Sequence, residues 1–124
     1  MKEYLLRRKN SIGVAWSGLI NFFRSEPHAF IHMMAAILVL TLAWLLSVSS
    51  MEWIALVLVI ALVVLAEILN TILEKVTDFI QPEIDPRIKV IKDMAAAAVL
   101  WATLIAVVIG FIIFTPYLIK WVTG

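Results

Sequence analysis

Cysteine is absent from this 124-residue chain. That excludes disulfides and any Cys-based zinc site, and leaves no reading of redox compartment. Glycine is scarce, limited to Gly13, Gly18, Gly110 and Gly124. These are scattered, so there is no Gly-rich or Walker-type phosphate loop, and any nucleotide would have to be held by side chains and metal. Charge is also scarce, at 15% of residues against 64% hydrophobic, and mean hydropathy is +1.05. A soluble domain carries about 25% charged residues and about half apolar ones. A chain this short buries only about two-thirds of its unfolded surface, so the apolar excess cannot fit in one core. An ordinary soluble globule is excluded, as are a disordered tail and a disulfide scaffold. The net charge of +1 also excludes a basic nucleic-acid binder.

The spacing of the few charges is informative. Residues 27–51 and 94–119 carry none. Residues 53–66 carry none, Glu67 follows, and 68–73 are again uncharged. About 20 apolar residues in a helix cross roughly 30 Å of hydrocarbon. Three spans are predicted, over 29–49, 52–74 and 94–117, joined by a connection at 75–92. The third segment can begin as a helix near residue 87. Runs such as Ala35-Ala36-Ile37-Leu38-Val39-Leu40 do not alternate, which argues against a lipid-exposed barrel.

In residues 1–26, Leu5, Leu6, Ile12, Ala15, Trp16, Leu19, Ile20, Phe22 and Phe23 recur at roughly helical spacing, interrupted by Arg7, Arg8, Lys9, Asn10 and Ser11. This reads as an amphipathic helix lying in the membrane interface, or alternatively as a cytosolic helix packed on the bundle. It is a poor signal peptide, because its apolar stretch comes late and runs long. Lys2, Arg7, Arg8, Lys9 and Arg24 precede the first span, and Lys75, Arg87, Lys89 and Lys92 lie in the second connection. The first connection has no Lys or Arg, and the C-terminus has Lys120. The bias of basic residues toward the cytoplasm therefore puts the N-terminus and residues 75–92 inside. Trp44, Trp53, Tyr117 and Trp121 then fall near the outer boundary, where an aromatic belt is expected. The expected fold is an all-α membrane protein, a single domain over 1–124 with a surface helix and three transmembrane helices.

Glu67, Asn70, Glu74 and Asp78 follow i, i+3, i+7, i+11 spacing. At about 100° per residue they form one narrow stripe of three acids and an amide. Glu67 lies roughly 21 Å along the helix from Trp53, within the inner part of the bilayer. A carboxylate in hydrocarbon costs about 2.5 kcal/mol or more and marks function by default. Glu67 is the candidate general base. The bland alternative is a hydrogen bond to another helix. Acids at the membrane edge suit a hard divalent cation, and magnesium binds one or two carboxylates plus substrate phosphates. Glu26 sits at the same level and can be a second ligand. His28 and His32, at i, i+4, suit a transition metal, but no third nitrogen or sulfur ligand is evident. Lys92 can meet a phosphate or act as a positive-inside anchor. The small residues of Met94-Ala95-Ala96-Ala97-Ala98 allow close helix approach.

The stretch Glu67-Ile68-Leu69-Asn70-Thr71-Ile72-Leu73-Glu74, with Asp78 and then Lys92-Asp93-Met94-Ala95-Ala96-Ala97-Ala98-Val99-Leu100, resembles the prokaryotic diacylglycerol kinase family. That family includes the undecaprenol kinases of Gram-positive bacteria. Gly13-Val14-Ala15-Trp16-Ser17-Gly18-Leu19 and Glu26 fit as well. The resemblance implies a homotrimeric inner-membrane lipid kinase. Its sites would lie at the cytoplasmic interface between neighbouring subunits, and it would move the γ-phosphate of magnesium-ATP to a lipid hydroxyl. Carried onto this chain, the resemblance makes Glu67 the catalytic base and Glu26 and Glu74 the metal ligands. Arg7, Glu26, Asn70, Glu74, Lys92 and Asp93 would hold ATP, with Glu83 and Asp85 matching the nucleotide region by position. Trp16, His32, Trp53 and Ala96 would border the lipid beside Glu67. Val14 replaces a frequent aromatic residue, Ile31 replaces a polar or basic one, and Leu73 is a mild change in the motif.

Two other classes compete. A small proton-coupled multidrug transporter also carries one membrane glutamate. It needs that glutamate near the midplane, however, and has no call for Asn70, Glu74 and Lys92-Asp93. A non-catalytic membrane scaffold is the third class.

Overall fold

Pro27 sets the first boundary in the chain. A residue before proline is pushed out of the α region, and Glu26 is extended, with φ −106° and ψ 112°. In a computed structural model, helix α1 (Lys2–Ser25) therefore ends here and α2 (Pro27–Leu45) begins with its proline in the first turn. The structure describes the backbone throughout and the side chains of all residues except 2–9. The described residues form helices and no strand, and α3 (Ser50–Ile80) and α4 (Pro86–Thr123) complete the order.

The α2–α3 turn closes by two local devices. Ser47 adopts φ 52°, the left-handed conformation that ends many helices. Its N–H donates to Trp44 O and that of Val48 donates to Ala43 O, both at 3.2 Å. This is the paired bonding of a Schellman motif, with serine where glycine is usual. Val48 and Ala43 are both buried, in a cluster with Leu56, Ile113 and Phe114. Ser49 then caps α3. Its hydroxyl accepts from Glu52 N at 3.4 Å, and its own N–H donates to Glu52 Oε2 at 2.7 Å. That reciprocal pair satisfies two backbone donors.

Helix α4 begins at Pro86, beside residue 87, where the third segment is expected to start as a helix ahead of its membrane span. The segment 75–92 is helical except for residues 81–85. Charge spacing reports where hydrocarbon ends, and a solvated helix continues past that point. Asp85 starts α4 by accepting from Arg87 N at 2.8 Å, and Pro86 occupies the first helical position, where a missing N–H costs nothing. At the other junction α2 stops at Leu45, before the predicted end at 49, because the Schellman turn and the Ser49 cap take up residues 46–49. Pro116 removes one backbone donor inside α4, and the helix continues to Thr123. Membrane helices tolerate such a loss.

Three helices, α2, α3 and α4, are long and apolar enough to cross a membrane. Large apolar side chains such as Leu38, Trp101 and Phe111 are exposed on them, as lipid-facing surfaces require. Helices α3 and α4 pack side by side along much of their length, and α2 joins them near the Schellman turn.

Candidate active site

The buried face of α3 changes chemistry part-way along. Leu56, Val59, Val63, Glu67 and Thr71 are all buried and recur every three or four residues, so they form one stripe. Glu67 takes the place of an aliphatic residue in that stripe, and its exposure is 4%. Among the described residues no hydrogen bond or ion pair reaches its carboxylate. A polar group buried without a partner is costly.

One turn further on, Asn70 Nδ2 donates to Glu74 Oε1 at 3.1 Å. Among the described residues Asn70 Oδ1 is buried with no partner. Asn70 lines a cavity of about 260 Å³ together with Leu69, Leu73, Ala95 and Ala98. The methyl side chains of Ala95 and Ala98 leave that space open on the α4 side. A larger residue at Ala95, which is itself buried, would close it.

Ion pairs surround this polar segment. Lys75 Nζ lies 2.6 Å from Glu26 Oε1, which joins α3 to the α1–α2 break. Lys92 Nζ lies 2.5 Å from Asp78 Oδ1, which joins α4 to α3. Lys89 Nζ lies 2.5 Å from Asp93 Oδ2 along α4. Arg87 contacts both Asp85 oxygens, Nε at 3.2 Å and Nη2 at 2.8 Å. The Arg87 guanidinium holds the Asp85 carboxyl below the ordinary aspartate range.

The structure brings only some of the predicted site residues together. Glu67, Asn70, Glu74 and Asp78 share one face of α3, Lys92 meets Asp78 from α4, and Lys75 pairs with Glu26. Lys92 and Asp93 are chain neighbours whose partners differ, one across the helix pair and one a turn back. Trp16, Glu83 and Ala96 are exposed. Trp53 packs against the cluster around Ala43 and Leu56, about 21 Å along α3 from Glu67. His32 is half-buried and lines a separate apolar groove of about 390 Å³ between α2, α3 and α4, and His28 is exposed. Val14 and Ile31 are exposed. Arg7 lies outside the described residues. In the sequence Lys75 stands out only as a positive-inside charge. Its pairing with Glu26 spans 49 positions, and no local pattern announces such a contact.

A magnesium ion fits the donor chemistry. Hard cations take oxygen ligands, and magnesium is satisfied by one or two carboxylates with phosphates and water. Among the described residues no three acidic or histidine side chains converge. Glu26 and Glu74 would be its protein ligands, and in this structure the Glu26 carboxylate is paired with Lys75.

The family described as prokaryotic diacylglycerol kinase matches residues 13–114 of this chain. The chain belongs to that family. It is 34% identical over 111 residues to the diacylglycerol kinase of Synechocystis sp., covering 89% of this chain and 63% of that protein. It is 36% identical over 104 residues to the undecaprenol kinase of Bacillus subtilis, covering 84% and 85% respectively. The chain thus spans less than two-thirds of the Synechocystis relative. No solved structure matches. The matched stretch includes Glu26 and the whole segment from Glu67 to Asp93.

Proposed function

We propose that the chain is an ATP-dependent lipid kinase that transfers the γ-phosphate of magnesium-ATP to the hydroxyl of a membrane lipid alcohol, diacylglycerol or undecaprenol. Family membership supports the reaction class. The observation that carries the reading is Glu67, a buried, unpaired carboxylate one turn from the Asn70–Glu74 pair. The proposed orientation puts the N-terminus and the 81–85 loop in the cytoplasm, so ATP comes from water and the lipid hydroxyl from the bilayer. The apolar exposure of Ile12, Val14 and Trp16 supports α1 as an interfacial helix. Trimeric assembly, with sites shared between neighbouring copies, belongs to the same proposal.

Glu67 takes the proton of the lipid hydroxyl as that oxygen attacks the γ-phosphorus. The bond from phosphorus to the β–γ bridging oxygen breaks, and ADP leaves. Bound magnesium supplies charge neutralisation on the phosphates. Asn70 orients Glu74, and Lys92 offers an ammonium at the phosphate end. Phosphoryl transfer depends mainly on such positioning and charge stabilisation.

The test is direct. Purified protein in mixed micelles receives radiolabelled ATP, magnesium and each lipid alcohol in turn. Labelled phosphatidic acid or undecaprenyl phosphate is expected, and competition between the two alcohols ranks them. Absence of labelled lipid with either alcohol would overturn the reading.

A further inference from the structure

The Lys75–Glu26 pair is the polar tie that the structure places between the α1–α2 break and α3. It is built differently from a cap or a buried bridge. Glu26 is the N-cap of α2, yet its side chain makes no capping hydrogen bond. Its carboxylate is committed to Lys75, at 2.6 Å. The Glu26 side chain is 23% exposed and that of Lys75 is 65% exposed. The acid is thus held in a recess while the cation sits in solvent at the end of a flexible four-carbon stem. Exposed pairs of this kind contribute little, so the contact is easily broken. Lys75 also follows Glu74 directly in the chain.

We propose that Lys75 is an exchangeable cation in the nucleotide site. In the metal-free protein its ammonium occupies the place on Glu26 that a divalent cation takes. When the metal–nucleotide complex enters, Nζ releases Glu26 and moves to a phosphate oxygen. This rests on the reading of Glu26 as a metal ligand. The exchange keeps charge matched in both states. The acid is neutralised by lysine before loading. After loading, the freed ammonium adds to the metal's charge against the phosphates. Lys75 acts on the metal through Glu26, and so is a positioning residue for the metal and a contact for the nucleotide.

The exchange makes a prediction opposite to that of a structural tie. Removing a structural tie loosens Glu26 and weakens metal binding, whereas removing a competitor strengthens it. The probe is manganese alone, without nucleotide, titrated into the full-length protein in detergent and followed by the electron paramagnetic resonance of the free ion. Lys75→Gln is expected to bind manganese on the order of two- to fivefold more tightly, the effect of losing one exposed pair. Its KM for magnesium-ATP is expected to rise. Lys75→Arg, whose guanidinium grips a carboxylate with two bonds, is expected to bind manganese more weakly than the native protein. Unchanged or weakened manganese affinity in Lys75→Gln overturns the exchange. Glu26→Gln separates the two levels. If it abolishes manganese binding while Lys75→Gln has no effect, only the exchange fails. If Glu26→Gln leaves manganese binding intact, the metal-ligand reading fails and the exchange falls with it.

Discussion

The Tyr117 hydroxyl donates to Glu52 Oε2 at 2.7 Å and ties the later part of α4 to the first turn of α3. At the other end of the same helix pair, Lys92 meets Asp78 at 2.5 Å. The stretch from Glu52 to Asp78 and that from Lys92 to Tyr117 each rise about 38 Å. The two antiparallel helices are thus pinned at matched heights, and Glu67, Asn70 and Ala95 lie between the pins.

The upper pin sets the first prediction. Tyr117→Phe keeps the ring against the Ala43–Leu56 cluster and removes only the donor. Glu52 still accepts from Ser49 N, so the α3 cap survives. The expected result is a melting temperature lower by a few degrees in detergent, followed by circular dichroism. An unchanged midpoint would mean that the hydroxyl bond contributes nothing in the membrane-mimetic state.

Asp85 supplies a pH dependence. It caps α4, and the Arg87 guanidinium depresses its carboxyl from the ordinary value of 3.8. A depressed acid stabilises the fold fully above its unfolded pKa and loses that contribution as pH falls through its folded pKa. Native protein is therefore expected to melt higher than Asp85→Ala from neutral pH down through the ordinary aspartate range. The difference should close only in stronger acid. A difference that closed well above that range would contradict the cap.

These elements also separate what local sequence carries from what it does not. Glu67 stands out because one charge interrupts an otherwise apolar stripe, and periodicity within a helix is a local property. The Pro27 break and the Ser49–Glu52 capping box are local as well. The start of α4 near residue 87 was legible too, whereas the end of α3 was less so. Charge marks where hydrocarbon ends, and α3 keeps its helix through Ile80, past the predicted 74, because polar residues there fit a solvated helix. Lys75–Glu26 and Lys92–Asp78 were not legible at all, since they depend on how helices are set beside one another. The family motif linked Lys92-Asp93 to Glu67 but said nothing of Lys75.

Asn70 tests the polar end of the stripe. Its amide donates to Glu74 at 3.1 Å, and a hydrogen bond to a charged group contributes about 1.5–3 kcal/mol. Asn70→Ala frees Glu74 from its fixed orientation. The KM for magnesium-ATP is expected to rise about tenfold or more, with the KM for the lipid little changed. Steady-state kinetics with each substrate varied in turn measures both. An equal rise for both substrates would assign Asn70 to general packing instead.

Glu67→Gln separates chemistry from packing by moving activity and stability in opposite directions. Glutamine has the same shape, carries no charge and cannot take the hydroxyl proton. Losing a general base costs typically 10²–10⁴-fold in rate, so turnover is expected to fall by at least about a hundredfold. The carboxylate is buried without a partner among the described residues, and replacing it by a neutral amide relieves an unpaired buried charge. The melting temperature is therefore expected to hold or rise. If Glu67 instead served to hold helices together through a hydrogen bond, glutamine would preserve most of that role and turnover would stay near native. Lipid phosphorylation assayed beside thermal unfolding on the same preparation distinguishes the two, and near-native turnover would remove Glu67 from the chemical step.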